Sequence, residues 1–301
     1  MPISDSKRQK QLESYIGGQA LKVEPFRSAR KTSEAVLSAM VLKVLAEEGP
    51  SWPYLVIKKI GEQWKKDEGR LAALGLELPT NAGIIKRIED LEHTGFVRSL
   101  TPKQLEKTSG ISARASKVFD LTTRGVAVAF LLNAVKLHDD VILKIVKRTD
   151  QDGVHKISYG RLVAELIERG KTPYVLRYAL ISASIRLLHE IEEEEFGIRN
   201  SQSVDEEEDY RRYKRHAKLT MMIAFDFPDR FSKRPEEALR RLSQLIGPPR
   251  AIKEECAELV RFRREHPEIK EAAARFCRGM IEEDIQSPPS AKACFGSFPV
   301  I

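Results

Sequence analysis

The stretch from Pro79 to Gly125 limits what this chain can fold into more than any other part of it. It begins Pro79-Thr80-Asn81-Ala82-Gly83-Ile84-Ile85-Lys86-Arg87-Ile88 and continues through Leu91 and Glu92 to Gly95-Phe96-Val97. Thr80 offers a hydroxyl to the free backbone N–H groups of a helix start. Ile84, Ile88 and Leu91 fall at i, i+4 and i+7 and share one face, while Asn81, Lys86 and Asp90 point elsewhere. Gly95 stops that helix, and Phe96-Val97 opens a strand. From Arg98 to Lys117 the cations Arg98, Lys103, Lys107, Arg114 and Lys117 face a single acid, Glu106. Val118-Phe119-Asp120-Leu121 alternates into a second strand. Thr122 or Thr123 then caps a helix expected to run from about Arg124 towards Lys147.

Two helices are expected upstream. Thr32 or Ser33 caps the first, and Val36, Leu37, Met40, Val41, Val44 and Leu45 give it an apolar face. Gly49-Pro50 ends it. Ser51 caps the second, with Pro53 in the tolerated first turn and Tyr54, Ile57 and Ile60 facing inward. Asp67 to Leu78 reads as a partly packed linker. Residues 1–32 read as a flexible basic arm, with a short helix around Gln11 to Ile16.

Three helices, a two-stranded hairpin and a further helix is the order of a winged helix-turn-helix. In such a unit the third helix enters the DNA major groove, and its N-terminal half reaches base edges. Asn81, Lys86 and Arg87 are the candidates here, because Asn pairs with adenine and Lys or Arg with guanine. Arg98, Lys103, Arg114 and Lys117 on the wing are candidates for phosphate contact, which fixes register.

The residues also resemble a family. Gly49-Pro50-Ser51-Trp52-Pro53-Tyr54-Leu55-Val56-Ile57 is similar to the turn and second helix of PadR-like regulators. Ile84 to Val97 is similar to their third helix, and Phe119-Asp120-Leu121-Thr122-Thr123-Arg124-Gly125 to their wing exit. MarR-like regulators share much of this pattern. The resemblance covers residues 33–135 and implies DNA binding and a homodimer. The chain departs from it at Pro53, where the family usually has Gly. The loop before the third helix and the wing are longer here, and some 165 residues follow.

Charge agrees with a nucleic-acid partner in the first half. Residues 1–135 hold 21 Lys/Arg against 15 Asp/Glu, and residues 136–301 hold 30 against 29. A basic excess of this kind favours phosphate contact. No apolar run approaches the roughly 18 residues of a membrane span, and the N-terminus lacks a signal-peptide core, so a cytoplasmic location is expected. Cys256, Cys277 and Cys294 lack metal-binding spacing and read as reduced thiols.

The second half reads as helices over 158–169, 173–196, 204–225, 235–246, 249–265 and 267–285. The expected fold class is therefore mainly α: a winged helix-turn-helix over 33–135, an all-α domain over 136–286 and a loose tail over 287–301. The acidic run Glu190, Glu192, Glu193, Glu194 and Glu195 beside His189 reads as a solvated helix end rather than half a metal site. Glu207 with Arg211, and Glu208 with Arg212, are spaced for pairing along one helix. No phosphate loop, dinucleotide fingerprint or nucleophile elbow is present. No cofactor, no catalytic residue and no metal ligand is expected. The function expected is a DNA-binding transcriptional regulator whose helical domain dimerises, senses a ligand or contacts a protein partner. The alternative is a winged-helix subunit that binds protein in a larger assembly.

Overall fold

The computed structural model describes residues 5–101, 117–133, 174–196 and 206–213, with scattered positions from 216 to 267. The chain divides into two compact units: Met1–His138 with Ser184–Tyr213, and Asp139–Ala183 with Lys214–Ile301. The described residues are mostly helical, with a two-stranded antiparallel sheet. None of their helices is long and apolar enough to cross a membrane.

The first unit is built around α2 (Thr32–Glu48). Val36, Ala39, Met40, Val41, Leu42, Val44 and Leu45 are all buried, so this helix is apolar around most of its circumference. Such a helix needs neighbours on every side. They are α1 (Asp5–Ile16), α3 (Pro53–Ala73), α4 (Asn81–His93), α5 (Thr123–Leu131) and the second strand. β1 (Val97–Leu100) and β2 (Val118–Leu121) pair in the register Val97↔Leu121 to Leu100↔Val118. Ser51 adds one bridge on the other side of β2. Its N–H donates to the Phe119 carbonyl at 2.8 Å, and the Phe119 N–H donates back at 2.9 Å.

Local signals set the boundaries of α4 and α5. The Thr80 hydroxyl accepts from the Gly83 N–H at 3.1 Å, and the Thr122 hydroxyl accepts from the Gly125 N–H at 3.0 Å. Each such cap contributes about 1 kcal/mol. Gly95, at φ 77°, provides the left-handed turn that releases the chain from α4 into β1. Thr122 also donates its hydroxyl to the Gly95 carbonyl at 2.7 Å, and its N–H to the Phe96 carbonyl at 3.2 Å. The start of α5 is thus bolted to the end of α4. Gly125 permits this: a Cβ there would lie 2.0 Å from the Phe96 carbonyl oxygen.

Other elements differ from the sequence reading. Residues 1–32 do not form a free arm in their described part. Tyr15, Ile16, Ala20, Val23 and Phe26 are buried, because α1 and the chain after it pack as an additional apolar layer beside α2. Gly17, at φ 112°, brings α1 against the end of α5, where a Cβ would meet the Leu131 carbonyl oxygen at 2.6 Å. Asn133 closes that junction. Its N–H donates to the Ile16 carbonyl at 3.0 Å, and its amide nitrogen lies 3.3 and 3.4 Å from the Glu13 and Ser14 carbonyls. For this reason α5 ends at Leu131, with Leu132 extended, rather than running on to 147.

Thr32 opens α2 but does not cap it; the capping position is Lys31, and Glu34 reaches back to the Arg30 N–H at 3.2 Å. Ser51 serves the sheet bridge instead of capping α3, which starts after Trp52. The supposed linker from Asp67 is helical as far as Ala73, because Leu71 and Leu74 bury on the core.

α6 (Tyr174–Phe196) passes through both units, with 174–183 in the second and 184–196 in the first. Residues 206–213 form a further helical segment of the first unit. The other helices expected in the second half, all three cysteines and the tail over 287–301 fall outside the described residues, apart from single positions.

Candidate nucleic-acid interface

α4 presents two unlike faces. Ile84, Ile88 and Leu91 are buried against the core, and Asn81, Ala82, Ile85, Lys86 and Glu89 are exposed. The periodic apolar stripe therefore leaves the N-terminal half of the opposite face open, and that end carries the positive pole of the helix. Asn81 and Lys86 stand on this face as expected, and Lys86 forms no ion pair among the described residues.

Three of the other candidates are engaged within the chain. Arg87 is only 20% exposed and lies 3.8 Å from Glu34 and 3.6 Å from Asp90. Arg98, on β1, donates from Nη1 to both Glu206 carboxylate oxygens at 2.9 Å and from Nη2 to Asp120 at 3.2 Å. Asp120 is its cross-strand partner in the sheet register. Lys117 donates to Glu92 at 2.7 Å, and its ammonium lies 5.0 Å from the centre of the Phe119 ring. Burial pushes the Glu92 carboxyl up, but hydrogen bonds from Lys117 and Ser99 outweigh it and hold the group below the usual carboxylate range. Lys103 and Arg114 lie outside the described residues.

The acidic run of α6 has a different role from the solvated end expected of it. Glu192 accepts from Arg27 at 3.0 Å and Glu195 from Arg124 at 2.6 and 3.0 Å, while Glu194 lies 2.9 Å from Arg212. Arg124 is 5% exposed, and its guanidinium sits 4.7 Å from the centre of the Phe96 ring. A buried cation needs a charge partner, which Glu195 supplies, and the Phe96 ring face adds a cation–π contact. Arg98 and Arg124, from β1 and α5, are thus tied to residues 184–213. The pairs predicted along the last segment are present: Glu207 lies 3.5 Å from Arg211, and Glu208 lies 3.9 Å from Arg212.

Beneath these pairs sits Asp209, buried beside Arg212 at 3.4 Å. Burial pushes its carboxyl up to about 6, against the attraction of Arg212 and Arg124 and with the help of Glu194 and Glu195. Among the described residues no three His, Cys, Asp or Glu side chains come together as a metal site. Glu192, weighed with His189 as half of one, is committed to Arg27.

Arg124, Glu192, Glu195 and Glu206 were not singled out as site residues by the sequence. Helical spacing identifies partners one turn away, whereas these pairs close over 71 to 165 residues. Comparison of the chain with protein-family models, curated proteins and solved structures finds no match.

Proposed function

We propose that the first unit is a winged helix-turn-helix that binds duplex DNA through the outer face of α4, and that the protein acts as a transcriptional regulator. The observation that carries this reading is α4 itself. It is a capped helix, buried on one side, with Asn81 and Lys86 displayed on the N-terminal half of the other. A helix so mounted suits a major groove, where Asn reads adenine and Lys reads guanine. The succession α2, α3, α4, β1, β2 supports the same assignment, as does the Ser51 bridge at the edge of the hairpin. A homodimer on a palindromic site is part of the proposal.

Retention of a random duplex pool by the full chain tests it. Asn81→Ala with Lys86→Glu touches only exposed side chains, so folding, read by circular dichroism, stays unchanged. The double variant is expected to bind on the order of 100-fold more weakly, since each lost base contact is worth about 1–3 kcal/mol. Parent binding should also fall steeply with salt, with a slope of about −0.9 per phosphate contacted. Equal retention of parent and double variant would overturn the proposal.

A second reading is a winged helix that docks on protein. The internal pairing of Arg87, Arg98 and Lys117 favours it, together with Tyr54, which is 76% exposed rather than facing inward as its spacing suggested. It predicts a stoichiometric protein partner that co-purifies with the chain and is lost on Tyr54→Ala, with no duplex retention.

A further inference from the structure

The acids of residues 184–213 meet the rest of the unit in two different ways. Nearer the root, Glu195 holds a guanidinium that is almost fully buried, and Glu192, itself 11% exposed, holds Arg27. A buried charge that loses its partner is left stranded, so these contacts are fixed. At the tip, Glu206 holds Arg98, and the two side chains are 40% and 36% exposed. Water and salt screen such a pair, and an incoming anion can displace the carboxylate.

The geometry at the tip is that of a substituted anion. Arg98 Nη1 reaches both Glu206 carboxylate oxygens at 2.9 Å, a charge-assisted contact of the kind a guanidinium N–H group also makes with phosphate oxygens. Asp120 steadies Nη2 from the neighbouring strand and belongs to the same sheet. Glu206 comes from 108 residues further along the chain. Arg98 Nε is buried and has no acceptor among the described residues, so the carboxylates do not satisfy the whole guanidinium.

Resting on the DNA-binding reading above, we infer that segment 206–213 is an autoinhibitory latch in which the Glu206 carboxylate occupies the phosphate-binding guanidinium of Arg98. Duplex binding displaces the Glu206 side chain, while the Arg212–Glu194 pair and the buried Asp209 and Tyr213 hold the rest of the segment in place. The latch thereby lowers affinity for every sequence equally, because Arg98 contacts backbone and not base edges.

The test is duplex retention by the full chain carrying Glu206→Gln, beside Glu207→Gln as the charge-matched control. Glu207 is 65% exposed and pairs with Arg211, so its loss changes net charge by the same amount without touching Arg98. Glu206→Gln is expected to bind about tenfold tighter, the worth of one charge-assisted hydrogen bond to phosphate. Its salt slope should steepen by about 1, with Glu207→Gln unchanged. Retention of Glu206→Gln equal to the parent, or an equal gain in both variants, overturns the latch and leaves the DNA reading standing. Retention of neither the parent nor Glu206→Gln overturns both.

Discussion

Gly125→Ala is the sharpest test of how α5 is locked to the end of α4. The new Cβ would lie 2.0 Å from the Phe96 carbonyl oxygen and 3.0 Å from its carbon, with a Leu121 methyl at 3.2 Å. Carbon and oxygen do not approach below about 3 Å, so something must move by about 1 Å. The obstacle is backbone, and its carbonyl already accepts from the Thr122 N–H at 3.2 Å. Moving it also draws the Gly125 N–H away from its cap. Overpacking costs about 1–3 kcal/mol and loss of a cap about 1, against a helix-propensity gain of at most about 1. A net loss of about 1–4 kcal/mol is therefore expected, a large part of a typical total of about 5–15. Both tryptophans of the chain, Trp52 and Trp64, lie in this unit, so fluorescence during urea unfolding reports on it directly. At a slope of about 2 kcal/mol per molar, the midpoint should fall by about 0.5–2 M. Gly69→Ala on α3, where nothing lies within 4 Å, should raise it, since the same change there removes only backbone entropy. A Gly125→Ala midpoint equal to the parent's would refute the close-approach argument.

Three further outcomes are expected. Glu195→Ala should cost about 3 kcal/mol because it strands the buried Arg124 guanidinium, while Arg124→Met should cost less, since Glu195 can turn to water; urea titration of both checks the order, and a reversed order would contradict it. Thr122→Val should cost about 1–3 kcal/mol, because the hydroxyl both caps α5 and satisfies the Gly95 carbonyl. For Asp209 the folded carboxyl is raised to about 6 by burial, so the native state holds that proton more tightly than the unfolded chain does. Its stabilising contribution is complete below pH 4 and is lost as the pH rises through about 6. Asp209→Asn should therefore compare best with the parent above pH 6 and fall behind it towards pH 4, as thermal unfolding across that range would reveal.

Many local signals were legible in the sequence because they act over three or four residues, though Thr32 and Ser51 do not cap α2 and α3. Thr80, Gly95 and Thr122 each do what their types require of the neighbouring backbone, and the alternation of Val118 to Leu121 gives β2 directly. What escaped depends on partners far away in the chain. α1 has a weakly apolar sequence, and only the α2 surface shows that Tyr15 and Ile16 belong to the core. Consecutive glutamates at 192–195 look solvated until Arg27, Arg124 and Arg212 are placed against them. The candidate site divides in the same way. The exposed face of α4 follows from its periodicity, so Asn81 and Lys86 stand where expected. Arg87, Arg98 and Lys117 lie on the predicted elements; Asp90 is one turn from Arg87, but Glu34, Glu206 and Glu92, which claim the three cations, come from elsewhere in sequence.

The junction at Asn133 has a mechanical consequence. Its three hydrogen bonds join the end of α1 to the chain just beyond α5, and the intervening loop of about 120 residues holds α2, α3, α4 and the sheet. Tension applied between α1 and Asn133 itself runs through this clasp and bypasses the loop. The helices inside feel no load until the clasp parts, so under force the unit should resist and then yield in two stages, opening its rim before its centre.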